Sequence, residues 1–371
     1  MTVDPVALTA ELLRQDTVNP PGREARCLDP LAERLAAAGF RVENVALTPE
    51  RPNLIARIGP DDRPALAFTG HVDVVPLGEA PWTVDPFAGV IRDGRIYGRG
   101  ASDMKSGVAA IVAAALAFAR DPAPGVAVEL ALTSGEEVGL EGAKRLAQSG
   151  RLGPAGALVV AEPTGLVPCI GYRSVLWLDL VFQGRTAHAS NPEVGDNALL
   201  KACRAAVALS SWDFDGARHP LLEPPSLNCA RLHSGLNYNS VPDRAVLGVD
   251  LRLLPDQAFA EVEARVAELT GAHEVIRRHE VRAVWTDPDH PWLKEVARLL
   301  AERFGQDGAL RTVPYCTDAS ALLDGYGDIP VLILGPGEAA QAHRTDEWCL
   351  VDNIRTASEI YLALMRGWRA S

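Results

Sequence analysis

Short apolar runs alternate with helical stretches along the first half of the chain. The spacing predicts a helix over 5–14, ended by the breaker "NPPG", and a second over 24–38 before Gly39. Strands follow at "PALAFTG" (64–70), "VAVELALTSG" (126–135) and "GALVVAEP" (156–163), with helices over 104–120 and 140–149 between them. Near-continuous apolar strands separated by helices predict a largely parallel sheet covered on both faces. From Ser174 the rhythm changes. Strand "VLWLDLVF", helix 196–210, strands "SLNCARLH" and "AVLGVDLRLL", helix 256–269 and strand "EVIRRHEVRA" follow in a β-α-β-β-α-β order, the ferredoxin-like pattern. Helix 291–304, a strand near 309–313, "IPVLILGPG" (329–337) and a final helix then restore the first rhythm. The expected organisation is a first domain built from 1–173 and 285–371, with a second domain, 174–284, inserted into it.

Length supports two domains: 371 residues, 47% hydrophobic and 23% charged, exceed what one compact core usually holds. A net charge of -12 argues against nucleic acid or an anionic membrane surface as partner. The longest apolar run, Val108 to Ala119, has 12 residues and is too short to span a bilayer. No basic stretch leads into an apolar core near Met1, so the expectation is a cytoplasmic chain without a signal peptide. Six scattered cysteines without a C-x-x-C pair read as reduced, mostly buried thiols.

In open parallel sheets, ligands bind beyond the carboxyl ends of the strands. Those ends carry His71 and Asp73, Glu136 and Glu137, Glu162, and His343. Asp103, in "GRGASDMKSG", stands at the start of helix 104–120, where Ser102 or Asp103 could also serve as a cap. Carboxylates gathered at one edge repel, each pair by roughly 4 kcal/mol at about 4 Å and an effective dielectric near 20. They need a cation. Two imidazoles among carboxylates suit zinc, with cobalt or manganese as substitutes. In "HVD" an extended backbone places His71 and Asp73 on one side, so Asp73 can accept the spare imidazole N–H. In "GEE" neighbouring side chains point apart, which lets one ligate and leaves the other as a base.

The ordered set "GHVDVVP", "WTVDPF", "DGRIYGRGASDMKSG", "TSGEEVG", "AEPT", "GRTAHAS", "NSVPDRA", "DLR" and "AHRTDE" resembles the dinuclear zinc amidohydrolase family of acetylornithine deacetylase, succinyl-diaminopimelate desuccinylase, aminoacylase and glutamate carboxypeptidase. "YCTDA" and "LGPGEAAQAH" look most like acetylornithine deacetylase. The resemblance implies a zinc-exopeptidase-like α/β/α sandwich with an inserted ferredoxin-like lid and dimerisation domain, hence a homodimer. It implies two zinc ions, one on His71 and Glu162, the other on Glu137 and His343, bridged by Asp103. Asp73 would orient His71, and Glu136 would move the proton between water and leaving amine. His188 would help hold the oxyanion in a partner subunit's site, and Asn239 and Arg252 would grip a substrate carboxylate. A cis peptide is implied just after Asp103.

Two departures stand out. "KSG" puts Ser106 where the family commonly has a glycine, and "GYRS" (171–174) departs from the acetylornithine pattern, leaving side-chain specificity open. The expected activity is hydrolysis of the amide bond of an N-acyl amino acid, acetylornithine deacetylase-like. Alternatives are a desuccinylase, a carboxypeptidase or dipeptidase of the same family, and a regulatory metal-binding protein without catalysis.

Overall fold

The computed structural model describes residues 3–369. The chain divides into two compact units, one formed by residues up to 171 with 285–313 and 317 onward, the other by 172–284 with 314–316.

The first unit is built on a six-stranded sheet in the order Arg41–Asn44, Leu54–Ile58, Val128–Thr133, Ala65–His71, Ala155–Val160, Val331–Ile333. The last four strands run parallel, and the first two add an antiparallel edge. Every residue of Ala65–His71 and Val128–Thr133 is buried, which is why these segments read as continuous apolar runs rather than as alternating ones. Helix Lys105–Arg120 is buried along most of its length and packs against helices Pro5–Leu13 and Val351–Gly367. Its alanines permit close approach. Its first residue, Lys105, is fully buried and turns its ammonium onto the carbonyls of Leu12 (3.1 Å) and Gln15 (2.8 Å), capping helix Pro5–Leu13.

Strands Arg41–Asn44 and Leu54–Ile58 and helix Ala319–Tyr326 are not among the predicted elements, and two further features depart from the sequence pattern. Segment 309–313 is no strand: Arg311 alone forms an isolated bridge with Cys169, because Gly308 and Pro314 leave room for little more. A three-stranded sheet of Val90–Arg92, Arg95–Tyr97 and Trp348–Leu350, whose strands are too short to show a period, pairs Tyr97 with Trp348. That pairing brings the segment after Tyr97 beside the segment before Trp348.

The second unit is a four-stranded antiparallel sheet in the order Ser226–Ser234, Arg244–Leu253, Ser174–Gln183, Glu274–Val281, the order second, third, first, fourth of a ferredoxin-like unit. Helices Ala198–Ser210 and Phe259–Thr270 share its apolar core. None of the six cysteines forms a disulfide, but only Cys27, Cys169 and Cys349 are buried. Cys316 is half-buried, and Cys203 and Cys229 are exposed because they lie on a solvent-facing part of a helix and on an edge strand.

Candidate active site

The parallel strands end at a common edge of the first unit. His71 closes strand Ala65–His71, and Glu136 and Glu137 follow Val128–Thr133 in the turn after Ser134. Glu162 follows Ala155–Val160. His343, at a left-handed φ of 63°, lies between the short turn Ala339–Gln341 and strand Trp348–Leu350.

Asp103 stands between the two histidines. Its Oδ1 is 3.3 Å from His71 Nε2 and its Oδ2 is 3.3 Å from His343 Nε2. Glu162 Oε1 lies 3.7 Å from His71 Nε2, and Glu137 Oε1 lies 3.1 Å from His343 Nε2. Donor atoms of His71, Asp103 and Glu162 therefore gather within 4.8 Å of one another, as do those of Asp103, Glu137 and His343. Glu136 Oε2 is 4.0 Å from His71 Nε2, whereas its neighbour Glu137 contacts His343.

The Asp103–Met104 peptide is cis. Ser102 does not cap the helix that follows: the cap position is Met104, without a side-chain bond, and the Ser102 hydroxyl instead donates to Trp348 O (2.8 Å) and accepts from Glu338 N (3.0 Å). Glycine is required at 107, where a Cβ would stand 2.3 Å from Ala161 O, whereas position 106 holds a fully buried serine. Asp73 makes more contacts than its spacing suggests. His71 Nδ1 sits 3.0 Å from the Asp73 backbone carbonyl and 3.6 Å from its carboxylate. The carboxylate accepts the N–H groups of Glu136 (3.1 Å) and Glu137 (3.3 Å) and the Asn19 amide (3.0 Å). It thus ties the turn after one strand to the end of its neighbour.

Burial opposes charge throughout the cluster, and the charges answer one another. Burial pushes Glu136 and Glu162 well above the ordinary carboxylate range, reinforced by their acidic neighbours. Burial would also neutralise His71, yet Asp103, Asp73 and the nearby glutamates raise its pKa well above the usual value. Asp103 and Glu137 push His343 up to about 10. Asp103 is held below its ordinary value against burial by the two histidines. The cluster draws in protons where positive charge is missing, so its residues fit divalent cations. Oxygen and imidazole nitrogen donors in this mixture suit zinc, cobalt or manganese.

Further residues of this site escaped the sequence pattern. Asn19 lies in "NPPG", which signals only a helix end, yet its amide holds Asp73. Asp318, in "YCTDA", is fully buried, accepts from the Thr133 hydroxyl, and is pushed up to about 6 by burial. Glu347, in "AHRTDE", binds the backbone around Asp103.

His188, Asn239 and Arg252 belong to the second unit. There Ala189 N donates to Asn239 O (3.0 Å) and His188 bridges Ser240, so His188 and Asn239 lie on adjoining exposed segments. Arg252 forks onto Asp250 at 2.9 and 3.0 Å.

A doubly covered parallel sheet with this cluster at its strand ends is the arrangement of a hydrolytic metalloenzyme. The chain matches peptidase family M20/M25/M40 over residues 67–367 and belongs to that family. It is a hydrolase of amide bonds with the α/β fold of the family. A structural neighbour of the same family from Bacillus subtilis, with a TM-score of 0.75 and 17% identity, covering 98% of this chain and 96% of that one, is a dinuclear metal binding peptidase. A succinyl-diaminopimelate desuccinylase of Rhodospirillum centenum is 31% identical over 100% of this chain and 98% of its own. An acetylornithine deacetylase of Vibrio campbellii is 30% identical over 89% of this chain and 88% of its own. The crystal structure of an aminopeptidase from Bacillus cereus is similar with a TM-score of 0.78 and 25% identity, covering 98% of this chain and 97% of that one. Among the described residues no helix is long and apolar enough to cross a membrane.

Proposed function

We propose that the protein hydrolyses the amide bond of N-acyl amino acids, with His71 and Glu162 holding one zinc ion, Glu137 and His343 a second, and Asp103 shared between them. The observation that carries this reading is Asp103, whose two oxygens each stand 3.3 Å from a different histidine. Bound there, the cations would supply Lewis acidity to the scissile carbonyl and make water acidic enough to react; cobalt or manganese can replace zinc.

Glu136 is the general base. It lies within the cluster yet outside both donor groups, and burial raises its affinity for a proton. It takes the proton as the water oxygen attacks the carbonyl carbon, and returns it to the amide nitrogen as the C–N bond breaks. Asp73 fixes the base by holding the Glu136 N–H. His188 and Asn239 meet the substrate from the inserted unit, His188 in a partner subunit's site. A second copy is the partner we assign to that unit, because Leu236 and Tyr238 are fully exposed beside the edge strand Ser226–Ser234.

For the acyl group we favour one that carries its own carboxylate. A succinyl-diaminopimelate desuccinylase, 31% identical over 100% of this chain, supports that choice. A guanidinium fork such as that of Arg252, on strand Arg244–Leu253, suits the carboxylate such a substrate carries. Released amine, measured on N-succinyl and N-acetyl amino acids and dipeptides with added zinc or cobalt, tests this. Faster turnover of the N-succinyl diamino acids is expected; preference for N-acetylornithine selects the deacetylase, and no release by protein carrying two cations contradicts hydrolysis altogether.

A further inference from the structure

Glu347 is fully buried and touches neither histidine, yet both of its oxygens are spent on the chain around Asp103. Oε1 accepts the N–H groups of Ser102 (2.8 Å) and Asp103 (3.0 Å). Oε2 accepts the Gly100 N–H (2.9 Å) and the Arg99 guanidinium (2.7 Å). Five consecutive residues, 99–103, thus send four donors to one carboxylate. The Arg99 side chain, 1% exposed, continues to the carbonyls of Arg344 (3.1 Å) and Pro76 (3.2 Å). The Glu347 backbone carbonyl accepts the Gly98 N–H (3.0 Å). Its position follows from the pairing of Tyr97 with Trp348, which lays residues 98–103 along residues 343–347.

An ion pair alone would explain the Arg99 contact but not the other three. Backbone N–H groups converging on one point make an anion-binding concavity, and here the anion is a side chain from the segment that carries His343. Glu347 therefore joins the turn that presents Asp103 to the loop that presents His343. A glutamine of the same size would aim an NH2 group at backbone donors and leave at least one of them unpaired.

We propose that Glu347 is the positioning residue of the cation pair, setting Asp103 and His343 at their spacing in advance and so governing affinity at both cation positions together. The inference rests on the two-cation reading above. Because Asp103 is shared, disturbing its turn weakens both positions, whereas removing a ligand of one group weakens that group.

The test is a Co2+ titration of cation-free protein, followed by calorimetry and visible absorption, on the wild type, Glu347→Gln, Glu347→Asp and Glu162→Gln, with circular dichroism to verify folding. The wild type is expected to take two equivalents, and Glu347→Gln to bind both about 10–100-fold more weakly, with an altered cobalt spectrum. Glu162→Gln is expected to weaken one. Should Glu347→Gln not fold, Glu347→Asp, which keeps the charge but reaches one methylene less, is expected to weaken both positions by a smaller factor. A folded Glu347 variant with wild-type affinity and spectrum, even if its thermal midpoint falls, overturns the inference, as does weakening at one position alone. A wild type that takes up no cobalt overturns the two-cation reading and this inference with it.

Discussion

The two halves of the cluster differ in how the fold holds them. His71 and Glu162 end neighbouring parallel strands, and their side chains are 1% and 5% exposed. His343 comes from a loop and is 53% exposed, although its partner Glu137 is buried. One half is therefore fixed by sheet hydrogen bonding and shielded from water, while the other is completed by a residue that solvent reaches freely. Stronger electrostatics in the buried half should make it the tighter position, and the open half the one where cations and substrate exchange.

The largest effect expected is on Glu136, the proposed base, which belongs to neither donor group. Glu136→Gln keeps both cations and lowers kcat by about 10²–10⁴-fold, measured as released amine alongside cation content. Retained turnover would remove its role as base. Next in size is the contrast itself. His71→Ala should lose the tighter equivalent, and His343→Ala should keep it while the second weakens by about 10–100-fold, read as bound zinc per chain after dialysis. Equal losses in the two variants would erase the distinction.

A smaller effect concerns the charge beneath the buried half. Asp318 raises the proton affinity of Glu136 and Glu162, and its own pKa is pushed up to about 6 by burial. A carboxyl whose folded-state pKa lies above its unfolded value leaves stability intact below the unfolded value and costs stability as pH rises through the folded one. Asp318→Asn retains an acceptor for the Thr133 hydroxyl and should stabilise cation-free protein at pH 8 by at most about 3 kcal/mol. The gain should vanish near pH 3. Chemical denaturation at the two pH values checks it, and a gain independent of pH would contradict it.

Smallest is Asn19→Ala, which removes one of three donors to Asp73. About 1–3 kcal/mol of stability should be lost, because a buried carboxylate loses a partner. Denaturation midpoints measure the loss, and an unchanged midpoint would show that the amide contributes nothing.

The parts of this site that follow long apolar runs were legible in the sequence. A buried parallel strand announces its own carboxyl end, so the apolar runs alone gather His71, Glu136, Glu137 and Glu162 at one edge. The ferredoxin-like order of the inserted unit was legible for the same reason, since its strands span eight to ten residues. Glu347 was not. Its meaning lies in backbone N–H groups some 245 residues earlier, brought to it by three-residue strands that carry no period. Asn19 and Asp318 were hidden likewise, one inside a helix breaker and the other in a motif read only for its likeness. For Asp73 the spacing located the residue beside His71 but missed the three donors that claim its carboxylate.

Whether Asp103 is shared by two cations is decided by a cobalt titration of Asp103→Ala against the wild type. Two equivalents are expected in the wild type, magnetically coupled in the electron paramagnetic resonance spectrum, with loss of tight binding at both positions in the variant. One equivalent still bound with wild-type affinity, or two uncoupled cobalt ions in the wild type, would contradict it.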